Sequence, residues 1–284
     1  MNRPTTFAGL TLDKPRIMGI VNVTPDSFSD GGEAFRIDDA VARGRAMLAA
    51  GADILDIGGE STRPGAEPVP PEEEIARVIP VIERLVDDGA LVSIDSRRAA
   101  VMRAAIHAGA RIVNDVTALT GDDAAMSAVA QAGDGVSVVL MHMQGEPRTM
   151  QKNPTYDDAP VDIRDYLAAR IDACEQAGIA RHRIGVDPGI GFGKTMTHNL
   201  EILARMDTFH ALGCAVVLGA SRKSFIGTLS GESEAGRRAA GSVAAALAAR
   251  NLGVQIFRVH DVYETHQALA VWDAVAGHGP QSNL

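Results

Sequence analysis

Two cysteines, Cys174 and Cys214, are all the thiols in the 284-residue chain, and they fall far apart within segments that read as regular elements. No CxxC pair or metal-ligand spacing can be built from them. A disulfide framework is therefore excluded and a reducing compartment is the expectation. No apolar run approaches the ~18 residues of a membrane span, and the opening MNRPTTFAGL has no apolar signal segment, so a cytoplasmic location is expected. Positive charge is also scarce: 27 Lys and Arg stand against 36 Asp and Glu, a net charge of −9. That balance argues against a general nucleic-acid or membrane-surface binder. An anionic substrate would need a local basic cluster. Neither HExxH nor a Ser–His–Asp spacing is present, and no thiol is placed as a nucleophile. PGIGFGKT (188–195) nearly copies a phosphate-binding loop, but Pro188 replaces the first glycine of GxxxxGK[ST].

What the chain does have is a repeat of glycine followed by an apolar run. It reads AGADILDI (50–57), DGALVSI (88–94), AGARIVND (108–115), AGDGVSVVLM (132–141), AGIARHRIGVD (177–187), LGCAVVLG (212–219) and LGVQIFRV (252–259). Each glycine suits the left-handed end of a helix, and each apolar run suits a buried parallel strand. With Arg16–Val21 at the start, eight strands are expected. Helical faces fall between them, such as Ile75, Val78, Ile79 and Ile82, or Ile163, Tyr166, Leu167 and Ile171. Pro80 is expected to start or kink its helix. Further helices are expected over Asp38–Ala50, Arg98–His107, Asp123–Ala132, Asn199–Leu212, Ala235–Leu252 and Glu264–Val275. The pattern implies an α/β fold, a (β/α)8 TIM barrel in one domain over 1–284 with its core at about 15–275. A doubly wound open sheet would show a dinucleotide turn after its first strand, and NVTPD (22–26) is not one. A short N-terminal hairpin over Thr6–Leu12 would close the barrel bottom. The long loops Thr24–Phe35 and Gly58–Pro71 have the character of lids.

Residues at the carboxyl ends of barrel strands converge on one face. In order they are Asn22, the Glu60-Ser61-Thr62-Arg63 loop, Asp95, Asn114-Asp115, His142, Asp187, Ser221-Arg222-Lys223, and Arg258 with His260. Each alone has a plainer reading: Asp95 or Ser96 as a helix cap, Asn114 as a turn former, His142 as a core histidine. Polar residues at all eight ends are not explained by capping. Asp95, Asn114 and Asp187 suit the edge of a flat, nitrogen-rich heterocycle. Arg63, Lys223, Arg258 and His260 supply the basic cluster that a phosphate or diphosphate requires. Asn22, near Asp26 and Asp30, offers oxygen to a magnesium ion held mostly by water and phosphate.

MGIVNVTPDSFSDGG (18–32), DIGGESTRPGA (56–66), SIDS (93–96), NDV (114–116), VLMHMQG (139–145), DPGIGFGK (187–194), SRKSFIG (221–227) and RVHDV (258–262) carry a family resemblance. From about Ile17 to about Ala270 the chain resembles the dihydropteroate synthases of folate biosynthesis. The resemblance implies a transferase, usually a homodimer. It would join 6-hydroxymethyl-7,8-dihydropterin diphosphate to 4-aminobenzoate, releasing 7,8-dihydropteroate and diphosphate. It implies Mg2+ as cofactor and an early break of the bond to diphosphate. By the same resemblance Asn22 contacts the Mg2+–diphosphate, and Asp95, Asn114 and Asp187 grip the pterin. Lys223 reaches both substrates. Thr62, Arg63, Arg258 and His260 hold the diphosphate, and Ser221 the aminobenzoate carboxylate. Phe192 and Pro64 line the aminobenzoate slot, where sulfonamides compete. The catalytic candidates are then Lys223, Arg63, Arg258 and His260. The chain departs from the family pattern at TALTGDD (117–123), GRA (44–46) and Ile190. The rival readings are a methyltetrahydrofolate-dependent methyltransferase domain and a catalytically silent pterin-binding homologue. The SRK and RVH strings favour the synthase.

Overall fold

Strands that are almost wholly buried alternate with helices in the computed structural model, which describes residues 3–24, 33–61, 68–146 and 149–277. Two short strands come first, β1 (Thr6–Phe7) and β2 (Leu10–Thr11). The barrel follows with β3 (Arg16–Asn22), β4 (Ile54–Gly58), β5 (Val92–Asp95), β6 (Ile112–Asp115), β7 (Ser137–Met141), β8 (Ile184–Asp187), β9 (Ala215–Leu218) and β10 (Ile256–Val259). Each pairs in parallel with the next, and β10 closes the ring on β3. The helices are α1 (Glu33–Ala49), α2 (Pro71–Asp87), α3 (Ala99–His107), α4 (Ala125–Gln131), α5 (Ala159–Gln176), α6 (Met196–Ala204), α7 (Ser224–Ser230), α8 (Ala239–Asn251) and α9 (Val262–Val275). None of them is long and apolar enough to cross a membrane.

The period-two alternation of a strand divides the core in two. Ile17, Leu55, Ile57, Val113, Val138, Leu140 and Val186 pack outward with α2 residues Val78, Ile82 and Leu85 and α5 residues Ile163, Leu167 and Ile171. Met18, Ile54, Ile112, Val139, Ala215, Val217 and Ile256 point inward and form a second cluster around Phe7. Phe7 is carried by the β1–β2 hairpin, so the hairpin plugs the barrel bottom as expected. Gly185 makes room for it: a Cβ there would sit 3.2 Å from the Phe7 ring. The apolar layer fills the lower barrel and leaves its upper layer to polar side chains.

The repeat glycines Gly51, Gly89, Gly109, Gly133, Gly178, Gly213 and Gly253 all have positive φ. Several helices differ from the expected spans. Pro80 lies inside α2, which starts instead at Pro71, where a missing N–H costs nothing. The single helix expected over Asn199–Leu212 is two elements. It breaks at Arg205 (φ −129°, ψ 33°) and continues as a 3-10 segment, Met206–Leu212. The segment expected from Ala235 begins with a 3-10 turn, Ala235–Arg237, before α8. The seven-residue α7 was not anticipated.

Candidate active site

Strand register sets the mouth of the barrel. Asn22 pairs with Gly58, Gly58 with Asp95, and Asp95 with Asn114, so these residues share one rung at the carboxyl ends of β3 to β6. Met141 and Asp187 form the matching pair on β7 and β8. Asp95, Asn114, Met141 and Asp187 meet Arg258 of β10 and Lys223 from the β9–α7 turn around one pocket that opens to solvent, whereas Asn22 shares the rung but is not in the lining. Asp95, Asn114 and Asp187 line one part of it, Lys223 and Arg258 another, and Phe192, Met141 and Val116 supply its apolar surface. The three acceptor residues expected to meet at one site therefore do so.

Arg258 holds the carboxylates together. Its Nε donates to Asp56 Oδ2 at 2.6 Å and its Nη2 to Asp95 Oδ2 at 2.5 Å. The same Asp56 oxygen accepts from Asn114 Nδ2 at 3.0 Å. Burial pushes Asp95 up to about 7 against the opposing charge of Arg258. Burial also raises Asp187, although the Gly189 N–H and three nearby cations oppose it. Gly189 N donates to Asp187 Oδ1 at 2.7 Å, which aims that carboxylate. Burial, with Arg258 nearby, brings Lys223 down to about 8. For Arg258 itself burial acts downward, but Asp56 and Asp95 outweigh it and keep the guanidinium charged. The Lys223 ammonium lies 3.9 Å above the Phe192 ring centroid, a cation–π contact.

The remaining strand-end residues separate by role. Ser221 Oγ sits 3.0 Å from His260 Nδ1 and accepts from His260 N at 3.2 Å. Burial, with Arg258 and Arg222 beside it, lowers His260 to about 3 in the ligand-free site. Arg222 is paired with Asp261. Asp115 turns away from the mouth to hold the following turn through Thr117 and Leu119. His142 is buried, stacks edge-on with Tyr166, and is lowered to about 3 by burial and Lys194, which fits the core-histidine reading. Lys194 of the near-miss phosphate loop points inward to His142 Nδ1 at 3.0 Å and the Phe192 carbonyl at 2.9 Å. Thr62, Arg63 and Pro64, with Asp26 and Asp30, lie outside the described residues. Glu60, at the neck of that segment, binds Val69 N, Arg97 and Arg98. The sequence reading missed the pocket-lining Val116 and Met141, and it missed Asp56, which holds Asn114 and Arg258 from below. Asp56 had a signal: it is a lone carboxylate inside the apolar strand ILDIG.

The family model for pterin binding enzymes matches residues 18–260. The dihydropteroate synthase of Neisseria meningitidis serogroup C is 50% identical over 267 residues, 93% of this chain and 94% of that one. The chain belongs to the dihydropteroate synthase family. Among solved structures, the Xanthomonas albilineans dihydropteroate synthase with 4-aminobenzoic acid aligns with a TM-score of 0.88 at 51% identity, over 94% of this chain and 95% of that one. The enzyme of the same organism in complex with 7,8-dihydropteroate aligns with a TM-score of 0.85 at 49% identity, with the same coverage. This synthase is thus a transferase of folate biosynthesis built on a closed eight-stranded barrel.

Proposed function

We propose that the pocket between β5, β6, β8 and β10 is where this synthase joins 6-hydroxymethyl-7,8-dihydropterin diphosphate to 4-aminobenzoate. The observation that carries this reading is the convergence of Asp95, Asn114 and Asp187 with Lys223 and Arg258 on one pocket. A pterin edge is a row of N–H donors, and buried carboxylates are strong acceptors for it. Lys223, between the acceptors and the Phe192 ring, stands where the ring, the leaving group and the second substrate can all reach it.

No serine, threonine or cysteine stands among the described residues lining the pocket, and the proposed reaction needs no covalent enzyme intermediate. The amine of 4-aminobenzoate is itself the nucleophile. In the proposed order the C–O bond to diphosphate breaks first, its electron pair leaving with the diphosphate. The amine then forms the new C–N bond and loses one proton. The cation left on the pterin strengthens the ring N–H groups as donors. Asp95 and Asp187 therefore bind the transition state more tightly than the ground state. Lys223 stabilises the departing anion, joined by Arg63 from outside the described residues. Arg258, committed to Asp56 and Asp95, acts mainly by fixing the acceptors. Ser221, held by His260, is assigned to the aminobenzoate carboxylate, and Phe192 to the wall of its slot.

No group of three or more His, Cys, Asp or Glu among the described residues is placed to hold a metal. Asn22 is instead a single neutral oxygen donor on the mouth rung. One such donor fits a Mg2+ ion that keeps waters and takes diphosphate oxygens, and the ion would supply charge neutralisation to the leaving group. A homodimer is also proposed, supported by exposed apolar side chains on α6, α7 and α9, among them Met196, Leu229 and Val271. Light scattering would show it as doubled mass. The deciding assay is release of diphosphate from the pterin diphosphate with Mg2+, with and without 4-aminobenzoate. Product that depends on 4-aminobenzoate is expected; its absence would reject the synthase reaction at this site.

A further inference from the structure

Below the mouth rung, β4 places a carboxylate, Asp56, with no exposed surface, between inward Ile54 and Gly58. A carboxylate in such a place is costly unless its bonds repay it. One oxygen, Oδ2, is well used: it takes Arg258 Nε at 2.6 Å and Asn114 Nδ2 at 3.0 Å. The other, Oδ1, is buried without a hydrogen bond among the described residues. Its strand neighbour in register, Ser93, has a buried Oγ in the same condition. Stability alone gives a poor account of this residue, and a functional demand gives a better one.

The geometry points to Asp56 as the positioning residue of the pterin-facing wall: its single Oδ2 fixes which end of the Asn114 amide faces the pocket and where Arg258 places Asp95. The first half follows from donor chemistry. An ionised carboxylate has only acceptors, so the amide must turn its nitrogen to Asp56. Asn114 Oδ1 is then directed away from Asp56 and into the pocket that the residue lines. Without Asp56 the amide could flip and offer N–H groups to a ligand edge that itself donates. The second half follows from the shared guanidinium. Asp56 and Asp95 grip different nitrogens of one planar group, so fixing one fixes the other. Asp56 touches no substrate in this account. Through Arg258 and its own Oδ2 it makes Asn114 and Asp95 into one acceptor surface, and the inference rests on the reading that this pocket holds the pterin.

The test is Asp56→Asn, which keeps the shape and removes the charge. Calorimetry should show affinity for 6-hydroxymethylpterin falling roughly 10- to 100-fold, the range expected when a charged hydrogen-bond partner is lost. The KM for 4-aminobenzoate at saturating pterin diphosphate should stay within about twofold, as expected for a residue confined to the pterin wall. In an Asn114→Ala background the same change should cost at least about threefold less, since part of its action passes through Asn114. Full additivity of the two changes, or pterin affinity in Asp56→Asn equal to the parent's, would overturn the assignment. Should Asp56→Asn not fold, the parent protein decides by nitrogen-15 NMR. The Asn114 side-chain amide and Arg258 Nε–H should be protected from solvent exchange before pterin is added. Exchange as fast as that of a surface asparagine would overturn the proposal. Failure of the parent protein to bind pterin at all is a separate result, and rejects the reading of the site instead.

Discussion

Gly189→Ala separates what the glycine loop does for Asp187 from what any left-handed glycine does for a fold. Gly189 has φ +70°, and a Cβ there would lie 2.0 Å from the His142 carbonyl oxygen. That oxygen cannot swing aside, because His142 N is bonded to the Asp187 carbonyl at 3.0 Å. The loop must therefore move, and with it the Gly189 N–H that aims Asp187 Oδ1 from 2.7 Å. The left-handed backbone costs an alanine about 1–2 kcal/mol. Loss of a hydrogen bond to a buried carboxylate adds about 1.5–3 kcal/mol. Gly133 is a matched control: its φ is also +70°, but a Cβ there meets nothing within 4 Å. Gly133→Ala should show the backbone cost alone. Gly189→Ala should melt a further ~3 °C or more below it, at about 2 °C per kcal/mol for a chain of this size. Pterin affinity by calorimetry should drop about tenfold or more in Gly189→Ala and stay unchanged in Gly133→Ala. Equal melting shifts, with full pterin affinity in both variants, would refute the claim that this loop positions Asp187.

Lys223→Ala should abolish turnover while leaving a cooperative melting transition, since Lys223 lies at the mouth and outside both apolar clusters; near-normal kcat/KM would contradict its role. Asp187→Asn should weaken pterin binding by about tenfold, because an ionised acceptor is worth more than a neutral amide, and an unchanged calorimetric affinity would count against the pairing. The pH profile should be bell-shaped for kcat/KM of the pterin diphosphate. Asp95, raised to about 7 in the free enzyme, is protonated below that pH and affinity should fall there by up to about tenfold per unit. Lys223, lowered to about 8, loses its charge above that pH and with it the hold on the diphosphate. Binding of 6-hydroxymethylpterin, which has no diphosphate, should keep the acid limb and lose the alkaline one; two equal limbs would refute these assignments.

The barrel was legible because its repeat is written in backbone chemistry. A glycine that must be left-handed precedes each apolar strand after the first, and the two signals reinforce one another. The acceptors Asp95, Asn114 and Asp187 were legible for a related reason: each ends such a strand, so topology alone brings them to one face. Asp56 was not, because the reading attended to strand ends and Asp56 lies one inward position below its own. The charge state of His260 was not legible either. It depends on burial and on Arg222, which only the fold brings beside it, as well as on neighbouring Arg258. The break at Arg205 and the short α7 are local choices that periodicity over a longer window averages away.

The electrostatics of the pocket bear on what kind of member of the family this chain is. Burial raises Asp95 and Asp187 and lowers Lys223, so the pocket by itself disfavours the very charges it contains. A protein that only bound pterin would need the acceptors; it would have no use for a desolvated lysine stacked on Phe192 beside them. That lysine is useful when a ligand brings negative charge, since the anion then tightens the hold on a proton that burial loosens. A flat ring with N–H donors answers the raised carboxylates, and an outgoing anion answers the lowered lysine. One substrate carrying both features satisfies both sides of the pocket at once. The electrostatic demand peaks as the bond between those features breaks, when the ring becomes cationic and the leaving group gains its full charge. The same reasoning disfavours methyl transfer from a folate at this site, because such a donor has no departing diphosphate for Lys223 to meet.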